Sequence, residues 1–177
     1  MILTETKLKG AFLIEIEKIV DDRGFFARAW CKNEFEKHGL QTELVQANIA
    51  FSSKKSTLRG LHYQVDPYQE AKLVRCIKGA IFDAIIDLRP DSPTYKQWIS
   101  VELTEDNCKT LYVPEDFAHG YLTLRDNTEV FYQVSQFYYP ESERGIRWDD
   151  PAFGIRWPQT QDLVISEKDK NWPDFLP

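Results

Sequence analysis

Short runs of alternating apolar and polar residues, each bounded by Gly, Pro, Asn or Asp, fill the middle of the chain. Since successive side chains of a strand point to opposite faces, this period of two is typical of antiparallel β-sheet. The clearest hairpin has the turn Lys78-Gly79, because glycine accepts the positive φ of tight turns. The predicted hairpins pair 73–77 with 80–88, 98–103 with 109–113, and 121–124 with 129–134. The pattern predicts an all-β fold.

One short segment has helical character instead. Residues 34–38 lie between Asn33, whose side chain suits an N-cap, and Gly39, a residue type that commonly follows a helix. We expect a short surface helix there. His38 stands at its C-terminal end, where the helix dipole favours a histidine, so we assign it no catalytic role.

The length of the chain indicates a single domain. Its 177 residues, 42% of them hydrophobic, can bury a substantial core, and we expect residues 1–177 to form one unit. From Pro140 onward the composition changes, with Trp148, Trp157 and Trp172 among prolines and charges. This tail is expected to wrap the sheets rather than to form a second domain.

Charge and aromatic content restrict the class of partner. The formal net charge is −6, which argues against non-specific binding of nucleic acid or anionic membranes, because both require a large basic field. An anionic small ligand remains possible if arginines gather locally. Aromatic residues make up 14% of the chain, which favours β-structure and surfaces that stack on rings or bases.

The cysteines and the N-terminal region indicate a cellular compartment. Cys31, Cys76 and Cys108 are odd in number and lack CxxC spacing, so neither a disulfide framework nor a zinc knuckle is predicted. The apolar run at 11–14 is too short for a signal peptide or a membrane span. We therefore expect a reduced cytoplasmic protein that binds no membrane.

Strand parity places reactive side chains on shared faces with apolar ones. If those faces line the inside of a sandwich or small barrel, the interior contains a ligand cavity as well as a packed core. The alternative is that Lys72 and Tyr132 lie at strand ends in solvent. The three faces are Gly60, His62 and Gln64; Val130, Tyr132 and Val134; and Lys72, Val74 and Cys76.

His62, one of three histidines, is the leading candidate for chemistry. A metal site is one hypothesis, since small barrels commonly present His-x-His with a carboxylate. Here Gln64 follows at the second position, and His119 is the one further candidate ligand, which would make a poor zinc or iron site. We therefore predict no metal.

Metal-free proton transfer is the other hypothesis. His62 would remove a proton next to a carbonyl, a carboxylate would fix its tautomer, Lys72 would stabilise the oxyanion and Tyr132 would act as the acid. Taken singly, each residue has an ordinary structural explanation: Tyr132 as a wall aromatic, Lys72 as a solvated charge and His119 as a hydrogen-bonded structural residue.

A series of ordered motifs extends nearly from end to end of the chain, and through them it resembles the dTDP-4-dehydrorhamnose 3,5-epimerase family. That resemblance implies a cupin-like jelly roll with short peripheral helices. The motifs are Asp22-Arg23-Gly24-Phe25-Phe26, Leu58-Arg59-Gly60-Leu61-His62-Tyr63-Gln64, Lys72-Leu73-Val74-Arg75, Phe117-Ala118-His119-Gly120, Val130-Phe131-Tyr132, Glu143-Arg144-Gly145-Ile146-Arg147-Trp148 and Ser166-Glu167-Lys168-Asp169.

The resemblance implies a nucleotide-linked 4-keto-6-deoxyhexose as substrate, and a homodimer as the assembly. It makes His62 the base, oriented by Asp169, and Tyr132 the acid on the opposite ring face, with Lys72 beside the enolate oxygen. No cofactor is implied, since the ketone is itself the electron sink.

Further matched positions are implied substrate contacts. Arg23 and Arg59 offer forked donors suited to a pyrophosphate, which would explain how an acidic protein binds an anion. Phe25, Phe26 and Tyr138 are candidates for stacking on the base or ribose, or for ordinary packing. The full set of implied contacts is Arg23, Gln46, Asn48, Arg59, His119, Tyr138, Glu143 and Lys168.

Two departures from the family pattern bear on specificity. Arg28 stands where the family usually has Glu, and Ala47 replaces the Asp of a Gln-Asp-Asn run. Both are expected in the substrate-binding surface, so the nucleotide and the final sugar stay open.

Other functions also stay open. The enzyme could epimerise C3 or C5 alone, or move the carbonyl as a ketoisomerase. Outside that class, a metal-dependent oxygenase of the same fold and a non-catalytic sugar-binding module are the alternatives.

Overall fold

The computed structural model describes residues 1–176, in which β-strands dominate and two short helices lie at the periphery. The elements in chain order are β1 Ile2–Glu5, β2 Phe12–Glu15, β3 Ile19–Asp21, β4 Gly24–Phe26, α1 Lys32–Lys37, β5 Gln46–Ser52, β6 Thr57–Gln64, β7 Lys72–Lys78, β8 Ala80–Asp87, β9 Trp98–Thr104, β10 Thr110–Val113, β11 Phe117–Thr123, β12 Thr128–Val134, β13 Glu143–Gly145, β14 Val164–Ile165 and α2 Glu167–Lys170.

Two large antiparallel sheets form the body of the protein. The first sheet has the order β1-β2-β10-β7-β12-β5, and the second has the order β13-β6-β11-β8-β9, with β14 added in parallel beside β6. β3 and β4 form a separate two-stranded ribbon. The prediction of an all-β, cupin-like jelly roll is confirmed.

The three predicted hairpins are wrong, although the strands themselves were found. β7 pairs with β10 and β12, whereas β8 pairs with β9 and β11, so the Lys78-Gly79 turn carries the chain from one sheet to the other. The same division separates β9 from β10 and β11 from β12. Alternation reports which face of a strand is buried, but it does not identify the neighbouring strand.

The predicted helix exists with different bounds. α1 begins after Cys31, and Asn33 lies inside the helix, so the predicted N-cap is wrong. The buried Phe35 attaches the helix to the first sheet, where its ring contacts that of Tyr112. His38 ends the helix and its ring Nδ1 donates to the carbonyl of Glu34 at 2.8 Å, in keeping with a structural role.

Apolar side chains fill the space between the sheets and also cover the outer face of the second sheet. Val74, Val130 and Ile85 belong to the inner cluster. On the outside, Trp157 and other tail residues pack against β6, β8 and β11. The expectation that the tail wraps a sheet is confirmed. No helix within residues 1–176 is long and apolar enough to cross a membrane.

Candidate active site

Two adjoining cavities lie between the sheets, and His62, Lys72 and Tyr132 line both of them. The larger cavity has a volume of about 410 Å³ and the smaller about 230 Å³. The predicted interior faces are confirmed, since Val74, Cys76 and Val130 continue the same faces into the core. Remaining lining residues of the larger cavity are Gln46, Asn48, Tyr63, Gln64, Glu70, Val134, Tyr138 and Glu143; those of the smaller are Ala50, Arg59, His119 and Tyr121.

His62 and Asp169 form a hydrogen-bonded pair although 107 residues separate them. Asp169 lies on α2, whose N-cap Ser166 accepts a hydrogen bond from the Asp169 amide. His62 Nε2 lies 2.6 Å from Asp169 Oδ1, and an ionised carboxylate can only accept, so this nitrogen carries the proton and Nδ1 is left able to accept one.

The carboxylate of Asp169 is held in its charged form. Burial alone would raise its pKa, but hydrogen bonds from His62 and from the Gly60 amide outweigh that effect and lower the pKa. The Gly60 amide donates to Oδ2 at 3.2 Å, while His62 occupies Oδ1. Both oxygens are therefore engaged, which fixes the orientation of the imidazole.

Tyr132 faces His62 from the opposite sheet. Tyr132 lies on β12 of the first sheet and His62 on β6 of the second, so a ligand in the cavity has one group on each side. Burial raises the pKa of the Tyr132 phenol, and the negative charge of Glu70 raises it further. The phenol therefore stays protonated, as an acid requires.

Lys72 begins β7 with its side chain buried beside the cavity. Its ammonium group donates to the carbonyl of His62 at 3.2 Å and lies 3.1 Å from the carboxylate of Glu70. This places a cation in the wall of both cavities beside His62, where it can stabilise negative charge that develops on a bound carbonyl oxygen.

A second histidine pair lies next to the first. His119 is the cross-strand neighbour of His62, and its Nε2 is 2.7 Å from Asp83 Oδ1. Each histidine thus has its own carboxylate. Within residues 1–176 no group of three or more His, Cys, Asp and Glu side chains lies close enough to hold a metal ion.

A chain of polar contacts lies at the solvent-exposed edge of the larger cavity, which we call its mouth. The Tyr138 hydroxyl donates to Glu143 at 2.7 Å, and Lys168 donates to the same carboxylate oxygen. The bond to Glu143 raises the pKa of Tyr138 to about 12. On β5, Gln46 accepts from the Tyr138 amide, and Asn48 points to the same side.

Arg59 lines the smaller cavity and supplies its positive charge. Its Nη2 donates to the Phe51 carbonyl at 3.0 Å and its Nε lies 3.4 Å from Ser52 Oγ. These bonds hold the guanidinium at the wall while leaving Nη1 available to an anionic ligand.

Comparisons with known proteins agree with this geometry. The sequence model for dTDP-4-dehydrorhamnose 3,5-epimerase matches residues 5–176. The chain belongs to this epimerase family. The dTDP-4-dehydrorhamnose 3,5-epimerase of Sinorhizobium fredii is 45% identical over 163 residues, covering 92% of this chain and 84% of the relative.

Solved structures of the family have the same fold. The Bacillus anthracis epimerase with TDP and PPi bound superposes with a TM-score of 0.93 at 40% identity, covering 98% of each chain. The Legionella pneumophila epimerase in complex with dTDP-4-keto-L-rhamnose has a TM-score of 0.88 at 35% identity, covering 94% of this chain and 88% of that one.

Not every residue expected from the family pattern reaches this chain's own cavities. Arg23 lies at the tip of the β3–β4 ribbon, where its side chain is 89% exposed and pairs with Asp21. Phe25 and Phe26 are exposed on the same ribbon. These three residues line neither cavity.

The two departures from the family pattern also lie outside this chain's cavities. Ala47 is exposed on the outer face of β5, on the side opposite Gln46 and Asn48. Arg28 pairs with Glu34 beside the N-terminal amine. The expectation that both residues line the substrate surface does not hold within one chain.

Sequence reasoning missed two carboxylates at the cavities of this chain. Asp83 is fully buried in the apolar strand β8, and a charge within such a run signals a paired group. Glu70 precedes Lys72 by two residues and shares its side of the chain, but it lies before β7 begins, so strand parity gave no reason to place it in the cavity.

Proposed function

We propose that this chain is a cofactor-independent epimerase that inverts C3 and C5 of a dTDP-linked 4-keto-6-deoxyhexose. The observation that carries the proposal is the placement of His62 and Tyr132 on opposite sheets, facing one another across the shared cavity. A base and an acid on opposite sides of a sugar ring are what inversion of a carbon centre requires.

In the proposed reaction, His62 Nδ1 removes the proton from the carbon next to the C4 carbonyl. The electron pair of the broken C–H bond forms a C=C bond, and the carbonyl π electrons move to the C4 oxygen as an enolate. The Lys72 ammonium stabilises that oxygen, and Asp169 stabilises the resulting imidazolium.

Tyr132 then delivers its proton to the same carbon from the other face, and the C4 carbonyl forms again with the centre inverted. The imidazolium of His62 then loses its extra proton to solvent, and the phenolate of Tyr132 takes a proton from solvent. Both groups are thereby restored, so the second centre can react in the same way. The substrate ketone accepts the electron pair throughout, so the scheme uses no cofactor and no metal.

We assign substrate binding to the residues around the two cavities. In the smaller cavity, the guanidinium group of Arg59 donates paired hydrogen bonds to the pyrophosphate, and His119 lies beside it. Tyr138, Glu143 and Lys168 form the mouth of the larger cavity, where Tyr138 can stack on the base. Gln46 and Asn48 offer amides on the facing strand β5.

We propose further that the chain forms a homodimer in which the ribbon contacts the partner. Ile19, Val20 and Phe26 are each about 70% exposed on the ribbon, and Ile49 and Phe51 are exposed on the outer face of β5. Apolar surface of this extent is typical of an interface. Such a dimer would bring Arg23 to the partner's cavity, which gives this otherwise distant residue a role.

Mixing two variants tests that arrangement. Arg23→Ala and His62→Ala are each expected to be inactive, and a mixed dimer contains one site with both wild-type residues. Recovery of activity after mixing and re-equilibration supports the shared site. A monomer by light scattering, or no recovery from a verified mixed dimer, contradicts it.

Two broader proposals accompany this function. We propose that residues 1–177 form a single domain, since the tail from Pro140 onward contributes Glu143 to the larger cavity and Asp169 to the pair with His62. We also place the enzyme in the cytoplasm, for which the three free cysteines are supporting evidence.

The decisive experiment is NMR of dTDP-4-keto-6-deoxyglucose with the protein in deuterated water. The wild-type protein is expected to exchange the C3 and C5 protons, so that their signals disappear. With His62→Ala both signals should remain. Exchange at one centre would make the protein a single-centre epimerase. Binding without exchange would favour the sugar-binding module, and activity that is lost in chelator would contradict the metal-free mechanism.

A further inference from the structure

The helix that contains Asp169 is too short to be stable without tertiary contacts. α2 is a helix of four residues, Glu167–Lys170, and a single helical turn is unstable in isolation. Asp169 is nevertheless buried and correctly placed beside His62. Some contact outside the helix must therefore fix its position.

Trp172, two residues after the helix, makes that contact. Its indole lies directly on Gly145 of β13, and a Cβ added to that glycine would be 2.0 Å from Trp172 Cε2. No other residue type leaves room for the indole at this position. Gly145 is also the cross-strand partner of His62, so the ring rests on the strand position next to the base.

The same indole contacts residues on both sides of the site. Its ring lies edge-on to the His62 imidazole, with centroids 6.3 Å apart and planes at 68°. The Lys168 ammonium lies 5.6 Å from the centre of the Trp172 ring. Lys168 donates to Glu143 at the cavity mouth, so one side chain supports both the base and the mouth.

Trp172 is held by packing rather than by a hydrogen bond. Its Nε1 is buried and has no hydrogen-bond partner among the described residues. Trp172 also lines neither cavity, so its influence on a ligand is indirect. A smaller aromatic ring could therefore preserve its function, whereas a methyl group could not.

We propose that Trp172, resting on Gly145, is a positioning residue that holds Asp169 and Lys168 in place for His62 and Glu143. The inference rests on the proposed function for its effect on catalysis. Loss of the indole lets α2 move, and a displacement of about 1 Å at a catalytic group can cost about 100-fold in rate.

The first test is a spectrum of the free protein, which needs no activity. Imidazole N–H protons bonded to carboxylates resonate far downfield, and the chain has three histidines, which makes assignment by His62→Asn and His119→Asn direct. Trp172→Ala is expected to broaden or abolish the His62 signal, and Asp169→Asn is expected to do the same. The His119 signal, from the separate pair with Asp83, should persist as an internal reference.

Matched variants separate positioning from general packing. Trp172→Phe should keep the His62 signal. Gly145→Ala should lose it, because the added methyl group would occupy the space of the Trp172 indole and displace the ring. Trp98→Ala is the control, since Trp98 lies on β9 at the far edge of the second sheet. It should lower stability and leave the His62 signal unchanged.

Kinetics give the second readout. Trp172→Ala should lower kcat about 100-fold and Trp172→Phe should recover most of it. A Trp172→Ala protein that keeps the His62 signal would overturn the proposal, whether or not the enzyme turns over the dTDP sugar. If Trp172→Ala loses the His62 signal but the wild-type protein epimerises no nucleotide sugar, the result would count against the proposed function alone.

Discussion

Glu70 Oε1 and Lys72 Nζ lie 3.1 Å apart in the wall of the larger cavity, and both side chains are nearly buried. The cation that is proposed to stabilise the enolate therefore lies against a carboxyl group. Gln64 Nε2 approaches the other Glu70 oxygen at 3.5 Å, which restrains the carboxylate. Glu70 consequently influences two of the proposed catalytic groups, Lys72 by direct contact and Tyr132 through its charge.

Glu70→Gln is expected to shift the alkaline limb of the pH profile. The main cause of the raised Tyr132 pKa is burial, and the Glu70 charge adds to it, while Arg59 opposes it. Removing the negative charge lowers the pKa of Tyr132. Since the phenol must be protonated to act as the acid, kcat/KM should begin to fall at a lower pH than in the wild type.

The pH dependence of kcat/KM between neutral and strongly alkaline pH checks this expectation. Glu129→Gln is the matched control, because Glu129 also pairs with a lysine, Lys78, but lies outside both cavities. An alkaline limb at the same pH in Glu70→Gln and in the wild type would show that Glu70 has no influence on the acid.

Tyr132→Phe should separate the two halves of the reaction. The phenyl ring fills nearly the same space but carries no proton, so His62 can still remove the substrate proton while inversion fails. We expect deuterium exchange to continue and formation of the inverted sugar to fall about 100-fold or more. NMR in deuterated water measures both quantities in one sample, and equal loss of both would assign Tyr132 another role.

Asp87→Asn should destabilise the fold at neutral pH. Asp87 is fully buried and accepts bonds from Arg89, Ser92 and Thr94. Burial tends to raise its pKa, but these donors outweigh burial and lower it. Removing the charge leaves the Arg89 guanidinium without its partner, at a cost of about 2 kcal/mol.

Because the folded pKa of Asp87 is lowered, its contribution is complete above the unfolded pKa and is lost as pH falls through the folded value. Urea unfolding of wild type and Asp87→Asn at a series of pH values gives the difference in free energy of unfolding. That difference should be largest near neutrality and shrink below about pH 4. A difference independent of pH would exclude the charge as its source.

Gly79→Ala should destabilise the crossing between the sheets. Gly79 has φ of +79°, and an added Cβ would lie 2.4 Å from Thr128 Oγ1. Gly39→Ala is the control, since Gly39 has φ of +68° with open space around it. The control should cost about 1 kcal/mol from backbone strain alone, and Gly79→Ala should cost more because Thr128 must also move. Equal losses would show that the contact with Thr128 is unimportant.

The sequence predicted strands and their inner faces well, because both follow from local periodicity. His62, Lys72 and Tyr132 were placed on interior faces by parity alone, and the structure brings them together. Pairing of strands could not be obtained in this way. A Gly-containing turn such as Lys78-Gly79 serves a hairpin or a crossing between sheets equally well, and only the packing of distant strands decides between them.

Long-range contacts account for the remaining differences. The role of Asp169 followed from family resemblance, since nothing local connects it with His62 across 107 residues. Arg23 was expected among the substrate contacts and instead extends away on the ribbon. Its position depends on what the ribbon packs against, which is information that one chain's sequence pattern does not contain.

The alternation of the chain between two sheets also affects how the protein reaches its native state. From β5 to β13, β8 and β9 are the only consecutive strands that pair with each other within residues 1–176. Every other strand in this range pairs with a strand that is remote in sequence, so long loops must close, at a cost in chain entropy, before most hydrogen bonds form. We therefore expect folding in milliseconds to seconds rather than microseconds, with β8 and β9 as the earliest structured pair among the strands from β5 to β13.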